Sequence, residues 1–428
     1  MMSTFPQTIL CAVRVIGTNF VAWLLCASLL PSAVAQTAGT ADTTQQAGTA
    51  GNTGHAGHAH NSLGTGAAIA PDGTVWLVGL NTDQKLFVQQ SRDPVRGEWS
   101  APRVLDTGAD AISADGENRP KIAFGPNGAV VISYTQPLDK PYTGRIRMLH
   151  SEDGGLSFSS PFTVHHDNAV ITHRFESIAF DGKGDLHVVW IDKRDQVAAA
   201  DKHYVGAAIY QAISHDGGRS FDVETKVAEH SCECCRVALA TDGDGVLHAM
   251  WRHVFGQSIR DHAFANLQLG PAPPIQRASF DEWNVQACPH QGPGLAWAGT
   301  GDPRSAYHAV WFGIRKESGG DVPAVRYARL DAKGAPVTGT VRRLPDVSAE
   351  HADVAAIGAR VLVVWRSFDA GQTRLRSWTS TDNGQTFSVR DLGNTIGNND
   401  QPHVITDGQR MLVLWRTDHG VQVYESLL

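Results

Sequence analysis

Two stretches, GDLHVVWID at residues 184–192 and GVLHAMWRH at residues 245–253, are near-copies of one another, and they decide how the chain is read. Each follows a turn rich in Asp and Gly (DGKG, DGDG), runs through β-branched and aromatic residues, and ends just past a tryptophan. Residues of that kind fit a half-buried pleated strand, and Asp and Gly supply the turn before it. Five further copies are GTVWLVGL (73–80), GAVVISYT (128–135), SAYHAVWFG (305–313), ARVLVVWRS (359–367) and QRMLVLWRT (409–417). Aligned on Gly79, Tyr134, Trp190, Trp251, Trp311, Trp365 and Trp415, the seven recur every 50–61 residues. A period of that size without helical periodicity suits one four-stranded sheet per repeat, so the expected fold is all-β, a β-propeller of seven blades. Six blades is the alternative, because the last unit stops after GVQVYESLL (420–428) and a seventh would need a strand from the N-terminal side to close the ring.

A second pattern follows the strand repeat. SEDGGLSF (151–158), SHDGGRSF (214–221) and STDNGQTF (380–387) obey S-x-D-x-G-x-[ST]-[FW], and a worn copy runs from Ser91 and Asp93 to Trp99. Asp and Ser or Thr side chains bond turn amides, Gly permits positive φ, and the aromatic packs beneath the sheet. The motif resembles the Asp box, or bacterial neuraminidase repeat, of the sialidase superfamily. That resemblance covers most of residues 63–428 and implies a sialidase-like propeller. It also implies a substrate carboxylate held by three arginines, with a Tyr nucleophile activated by Glu and an Asp acid/base. The Arg-Ile-Pro motif that carries the first arginine is missing. Its nearest echo is Arg119-Pro120, and no Tyr and Glu pair is assignable.

Each repeat thus orders itself as an inner strand, a turn, the tryptophan strand, a third strand, the Asp-box turn and a fourth strand. Neighbours alternate in direction, so the start of the first strand and the end of the second share one face, opposite the Asp-box turns. In a propeller the inner strand lines the axial channel, and residues just ahead of it crowd the channel mouth. Those residues are Asn118 and Arg119; His173, Arg174 and Glu176; Cys232, Cys234 and Cys235; Cys288 and His290; His351 and Asp353; and Asp400, Gln401 and His403.

Two of the six cysteines, Cys11 and Cys26, fall in the leader, which leaves four, three of them packed into CECC at 232–235. Thiolate with imidazole favours a soft or borderline ion, copper first and zinc as the alternative, over magnesium or calcium. The expected ligands are Cys232, Cys234, Cys235, Cys288 and His290, with His173, Glu176, His351, Asp353 and His403 as further candidates at the same rim. Two other roles compete: a disulfide such as Cys232 to Cys288 stapling two blades, and a reactive thiol pair. The combination of Cys-x-Cys-Cys, Arg260-Asp261 and CPHQGP (288–293) also resembles exported sialidase-like proteins whose reaction is not known, and implies a shared site. Arg252, Arg366 and Arg416 each follow a repeat tryptophan, and with Arg119 they are candidates for an anion clamp. Stacking of each on a neighbouring ring is the plainer reading.

Residues 1–35 read as a cleaved signal peptide: Arg14, the apolar run FVAWLLCASLL, then Ala33-Val34-Ala35 ahead of Gln36. Residues 36–62, rich in Ala, Gly and Thr with His55, His58 and His60, read as a disordered leader that could assist a metal. The expected protein is therefore exported, periplasmic or extracellular, and monomeric, with no membrane span after cleavage. A net charge of −7 argues against nucleic acid or an anionic membrane as partner, leaving a metal ion or small acidic ligand. Three functions stand open: an exported metal-binding propeller, an exo-glycosidase on acidic sugars, and a disulfide-stapled interaction propeller without catalysis.

Overall fold

The computed structural model describes residues 63–199, 206–256, 258–285 and 289–426. The expected signal peptide and leader, with Cys11, Cys26, His55, His58 and His60, lie outside the described residues, as does Cys288. Antiparallel sheets make up the fold, and the one α-helix among the described residues is α1, Arg194–Ala199. All seven repeat stretches form the second strand of their sheets, from Val75–Leu80 through Leu186–Asp192 and Leu247–Phe255 to Met411–Thr417. Their near-continuous apolar runs are buried on both faces over most of their length, and Trp190, Trp251, Trp311, Trp365 and Trp415 are all fully enclosed.

The innermost strands are Gly66–Ile69, Lys121–Phe124, His173–Phe180, Ala238–Thr241, Gly294–Trp297, Ala349–Ile357 and His403–Thr406. Each contacts the next, and the last returns to the first, so the sheets stand around an axis as in a β-propeller. Hydrogen bonding groups them into six sheets: four of four strands, one of eight and one of three. The eight-stranded sheet joins the third and fourth repeats at one register pair, Ser231 opposite His253.

The last sheet departs from expectation. Among the described residues it holds three strands, ending with Gly420–Glu425, and none of them comes from the N-terminal side. Apolar packing of Val75, Leu77 and Phe87 on Leu412, Leu414 and Val423, together with side-chain hydrogen bonds, joins the last sheet to the first. The Asp400 carboxylate accepts from the Thr65 amide at 3.0 Å, and Arg416 donates to Thr65 Oγ1 at 3.1 Å and to the Leu80 carbonyl at 2.9 Å.

Turn chemistry explains the strand boundaries. Asp181 Oδ1 accepts from the amides of Lys183 and Asp185, and Asp242 Oδ1 repeats this with Asp244 and Val246. The two turns also lock together, Gly182 donating to the Gly245 carbonyl at 2.9 Å, and a Cβ on Gly182 would sit 2.4 Å from Gly245 Cα. On the same face the three S-x-D-x-G turns share one network. The Ser oxygen accepts from the Gly amide at 2.8, 2.8 and 2.9 Å. The Asp carboxylate takes the amide and the hydroxyl of Ser157, Ser220 or Thr386. The worn copy keeps one of these bonds, Asp93 N to Ser91 Oγ.

At Asp216 and Asp382 burial opposes ionisation, but these donated hydrogen bonds outweigh it and hold both carboxyls at about 2. A depressed carboxyl contributes stability above its unfolded value, near 4, and loses it as pH falls through the folded one. The stability these two carboxyls supply should therefore be complete above about pH 5 and lost between about pH 4 and 2, so the urea midpoint of the parent should converge on that of an Asp216→Asn, Asp382→Asn variant over that range, and Ser380→Ala, which removes the acceptor for two turn amides, should cost about 1–2 kcal/mol at neutral pH.

Candidate functional site

The cysteine triplet lies on the crossover from Thr225–Ser231, the outer strand of the third repeat, to Ala238–Thr241, the inner strand of the fourth. Ser231 ends its strand opposite His253, and Cys232 then donates its amide to the Arg252 carbonyl at 2.9 Å. Between the cysteines Glu233 turns outward, where Lys193 and Gln196 of the segment at α1 hold its carboxylate. Cys232 and Cys234, on the other side of the chain, are thereby directed inward. All three thiols are buried, in a core shared with Phe175, Val189, Ile191 and Trp251.

The three sulfurs stand 3.7, 3.8 and 3.9 Å apart. A disulfide needs about 2.05 Å, so no such bond joins any two of them. Among the described residues this is the one group of three or more His, Cys, Asp or Glu ligand atoms within 4.8 Å of one another. The centre of that triangle lies about 2.2 Å from each sulfur, close to a zinc–thiolate bond of about 2.3 Å. Burial pushes the Cys235 thiol well up, so without a cation beside it that sulfur keeps its proton and is a poor nucleophile.

His290 does not join the group; it is exposed, with φ of 51°. The remaining rim residues converge on the axis, but as networks closed by other protein groups. Glu117 is their hub. It accepts from the Arg236 amide at 2.9 Å, from Arg236 Nη1 at 3.0 Å and from the Gly292 amide at 3.2 Å, with His351 Nδ1 at 3.7 Å. Burial works against its charge, yet Arg236 and His351 hold the carboxyl at about 2. Arg236 directly follows Cys235 and reaches the Ala352 carbonyl of the sixth repeat at 2.9 Å, so the crossover does end at the axis.

A second network joins Arg119 to Asp400 at 3.2 Å, to His403 Nδ1 at 2.9 Å and to the Thr65 and Gln401 carbonyls. In a third, Glu176 accepts from Ser133 at 3.2 Å and Thr135 at 2.9 Å, with Lys121 at 3.5 Å. Asp353 accepts from the amides of Val354 and Val404. His173 stacks on His165 at 3.9 Å and faces Asp192 at 3.7 Å, and burial lowers its basicity.

The arginines that follow the repeat tryptophans are likewise engaged by the protein. Arg252 donates to the carbonyls of Arg260, Gln291 and Phe312 and lies over Trp283 at 5.2 Å. Arg366 binds Glu350 and Asn399, and Arg416 binds Thr65 and the Leu80 carbonyl over the Phe87 ring. Crossovers leave backbone carbonyls without ladder partners, and a guanidinium fork reaches two at once. Residue order does not single out Glu117 or Arg236, although each adjoins a residue that it does, Asn118 and Cys235.

No protein-family model matches this chain, and no curated protein is similar to it in sequence. Solved structures share its fold. A polysaccharide lyase of family PL25, an ulvan lyase bound to a glucuronate–rhamnose-3-sulfate unit, aligns over 84% of this chain and 91% of its own at 12% identity, with a TM-score of 0.51. The GH93 α-L-arabinofuranosidase of Fusarium graminearum aligns over 78% and 93% at 10% identity, with a TM-score of 0.50. At these identities the likeness is one of fold, and it agrees with the ring of antiparallel sheets.

Replacing Arg236 with Met should destabilise the protein by about 3–5 kcal/mol, because Glu117 is left buried without its counter-charge. Adding Glu117→Gln should restore a large part of that loss, as read by urea unfolding of the single and double variants.

Proposed function

We propose that this chain is a seven-bladed, exported propeller that binds a soft metal ion, copper as Cu(I) first and zinc second, through Cys232, Cys234 and Cys235. Cys288, on the next crossover, is proposed as the fourth ligand. The observation that carries the reading is the triangle of buried sulfurs spaced 3.7–3.9 Å apart, the separation that one ion bonded to three thiolates requires. The count of seven blades is supported by the ring of seven inner strands, with the eight-stranded sheet read as two blades sharing one register pair.

The chain's own residues supply position and dryness. The clamp on Glu233 by Lys193 and Gln196 fixes the crossover, and the Phe175, Val189, Ile191 and Trp251 side chains exclude water from the sulfurs. A bound ion takes the place of the thiol protons and supplies a soft Lewis-acid centre. The same enclosure slows oxidation of the thiols in an oxidising compartment.

The test is metal content and thiol state measured together on protein taken from its native compartment. We expect one copper or zinc per chain, its loss in Cys232→Ser, Cys234→Ser and Cys235→Ser, and thiols that react with a maleimide only after a chelator has removed the ion. Fully reduced thiols with no stoichiometric copper or zinc would sink the proposal. A map showing two clean disulfides would favour the interaction propeller, and release of label from fluorogenic sialosides or uronides would favour the glycosidase.

A further inference from the structure

The repeats treat their buried tryptophans alike, with one exception. In the fifth, sixth and seventh repeats the crossover leading into the sheet accepts from the indole N–H. Trp311 donates to Asp281 Oδ2 at 2.7 Å, Trp365 to Asp346 Oδ2 at 2.6 Å and Trp415 to the Asp400 carbonyl at 3.0 Å. The third repeat uses its own Asp192, at 2.9 Å from Trp190. Trp251 of the fourth repeat is fully buried, and its indole nitrogen has no hydrogen-bond partner among the described residues. The crossover leading into that sheet is the one that carries Cys232, Cys234 and Cys235, and the three cysteines share a core with Trp251.

The next residue repeats the anomaly. Arg252 is 1% exposed and its hydrogen bonds end on carbonyls, so no carboxylate among the described residues offsets its charge, and its Nε–H is also unpartnered. Arg252 touches both cysteine-bearing crossovers. Its carbonyl accepts from Cys232, and its Nη2 donates to Gln291, three residues beyond Cys288. A buried cation and a buried N–H without acceptors are each costly. Both costs vanish if the neighbouring group carries negative charge. Three thiolates around Zn(II) carry a net −1, and around Cu(I) a net −2.

We infer that Trp251 and Arg252 are positioning residues for a net-anionic metal–thiolate centre, the cysteine crossover standing where the crossovers of the fifth, sixth and seventh repeats place an oxygen acceptor. In this repeat the acceptor role has passed from oxygen to sulfur. Hydrogen bonds and a positive charge beside metal thiolates stabilise them and tune the ion they hold. This inference rests on the metal reading above.

The test titrates Cu(I) against a chromophoric Cu(I) chelator, using the purified mature protein and its Arg252→Gln, Arg252→Met, Arg252→Lys and Trp251→Phe variants. Near-ultraviolet circular dichroism confirms that each variant is folded. We expect both neutral variants at 252 to bind Cu(I) at least tenfold more weakly, Arg252→Lys to stay within about threefold of the parent, and Trp251→Phe to shift the thiolate-to-metal charge-transfer band of the Co(II)-loaded protein. Two neutral substitutions at 252 allow for one of them failing to fold. Equal losses in the lysine and neutral variants, or no loss in any, overturn the inference while leaving the metal site standing. A parent protein that takes up no Cu(I) overturns the metal reading itself, and this inference with it.

Discussion

One buried carboxylate stands at the centre of the seam between the first and last repeats. Asp400 accepts from the Thr65 amide, from the Gln401 amide and from Arg119, while its backbone carbonyl takes the Trp415 indole. These contacts tie the first inner strand to the last, a task that a shared sheet performs in rings completed by a fourth strand. Burial raises the Asp400 carboxyl, and Arg119, the Thr65 and Gln401 amides and Arg366 work against that shift. A sheet ladder divides the same duty among many weak bonds. Here a buried ion pair shares it with the Arg416 bonds to Thr65 and Leu80 and with the apolar packing of Val75 and Leu77 on Leu412 and Leu414, and the ion pair is the contact that costs most when only one partner is lost.

The axis shows the same economy. Glu117, Arg236, His351 and Gly292 come from four different repeats, and their bonds satisfy one another. A side chain at Gly292 would collide with Arg236, so the tight approach there requires a residue without Cβ. The cysteine crossover joins this hub directly through Arg236. Cys235 therefore stands one residue from a braced hub, which limits how far the crossover can shift.

Much of the fold was legible because local chemistry dictates it. The Asp-Gly turns, the alternating tryptophan strands and the S-x-D-x-G motif each specify their own backbone, and repetition seven times over made the ring readable. The position of CECC ahead of an inner strand followed from strand alternation alone. Other features depend on directions in space that residue order does not carry. His290 shares its crossover with Cys288, yet a positive φ turns it to solvent. Glu117 sits in the short Gly116–Asn118 turn, and its partner Arg236 is 119 positions away. A carboxylate clamp and a carbonyl staple ask for the same arginine, and every residue has a carbonyl, so Arg252, Arg366 and Arg416 gave no local sign of which they were.

The register pair between Ser231 and His253 makes the third and fourth repeats one continuous hydrogen-bonded sheet. Elsewhere among the described residues no ladder joins neighbouring sheets, which meet through side chains and isolated backbone bonds such as Gly64 to the Ala114 carbonyl. The wheel thus contains a welded sector of eight strands. When the ring breathes, its seams should open at other spokes, and the cysteines, set at the weld itself, travel with their surroundings as a rigid piece.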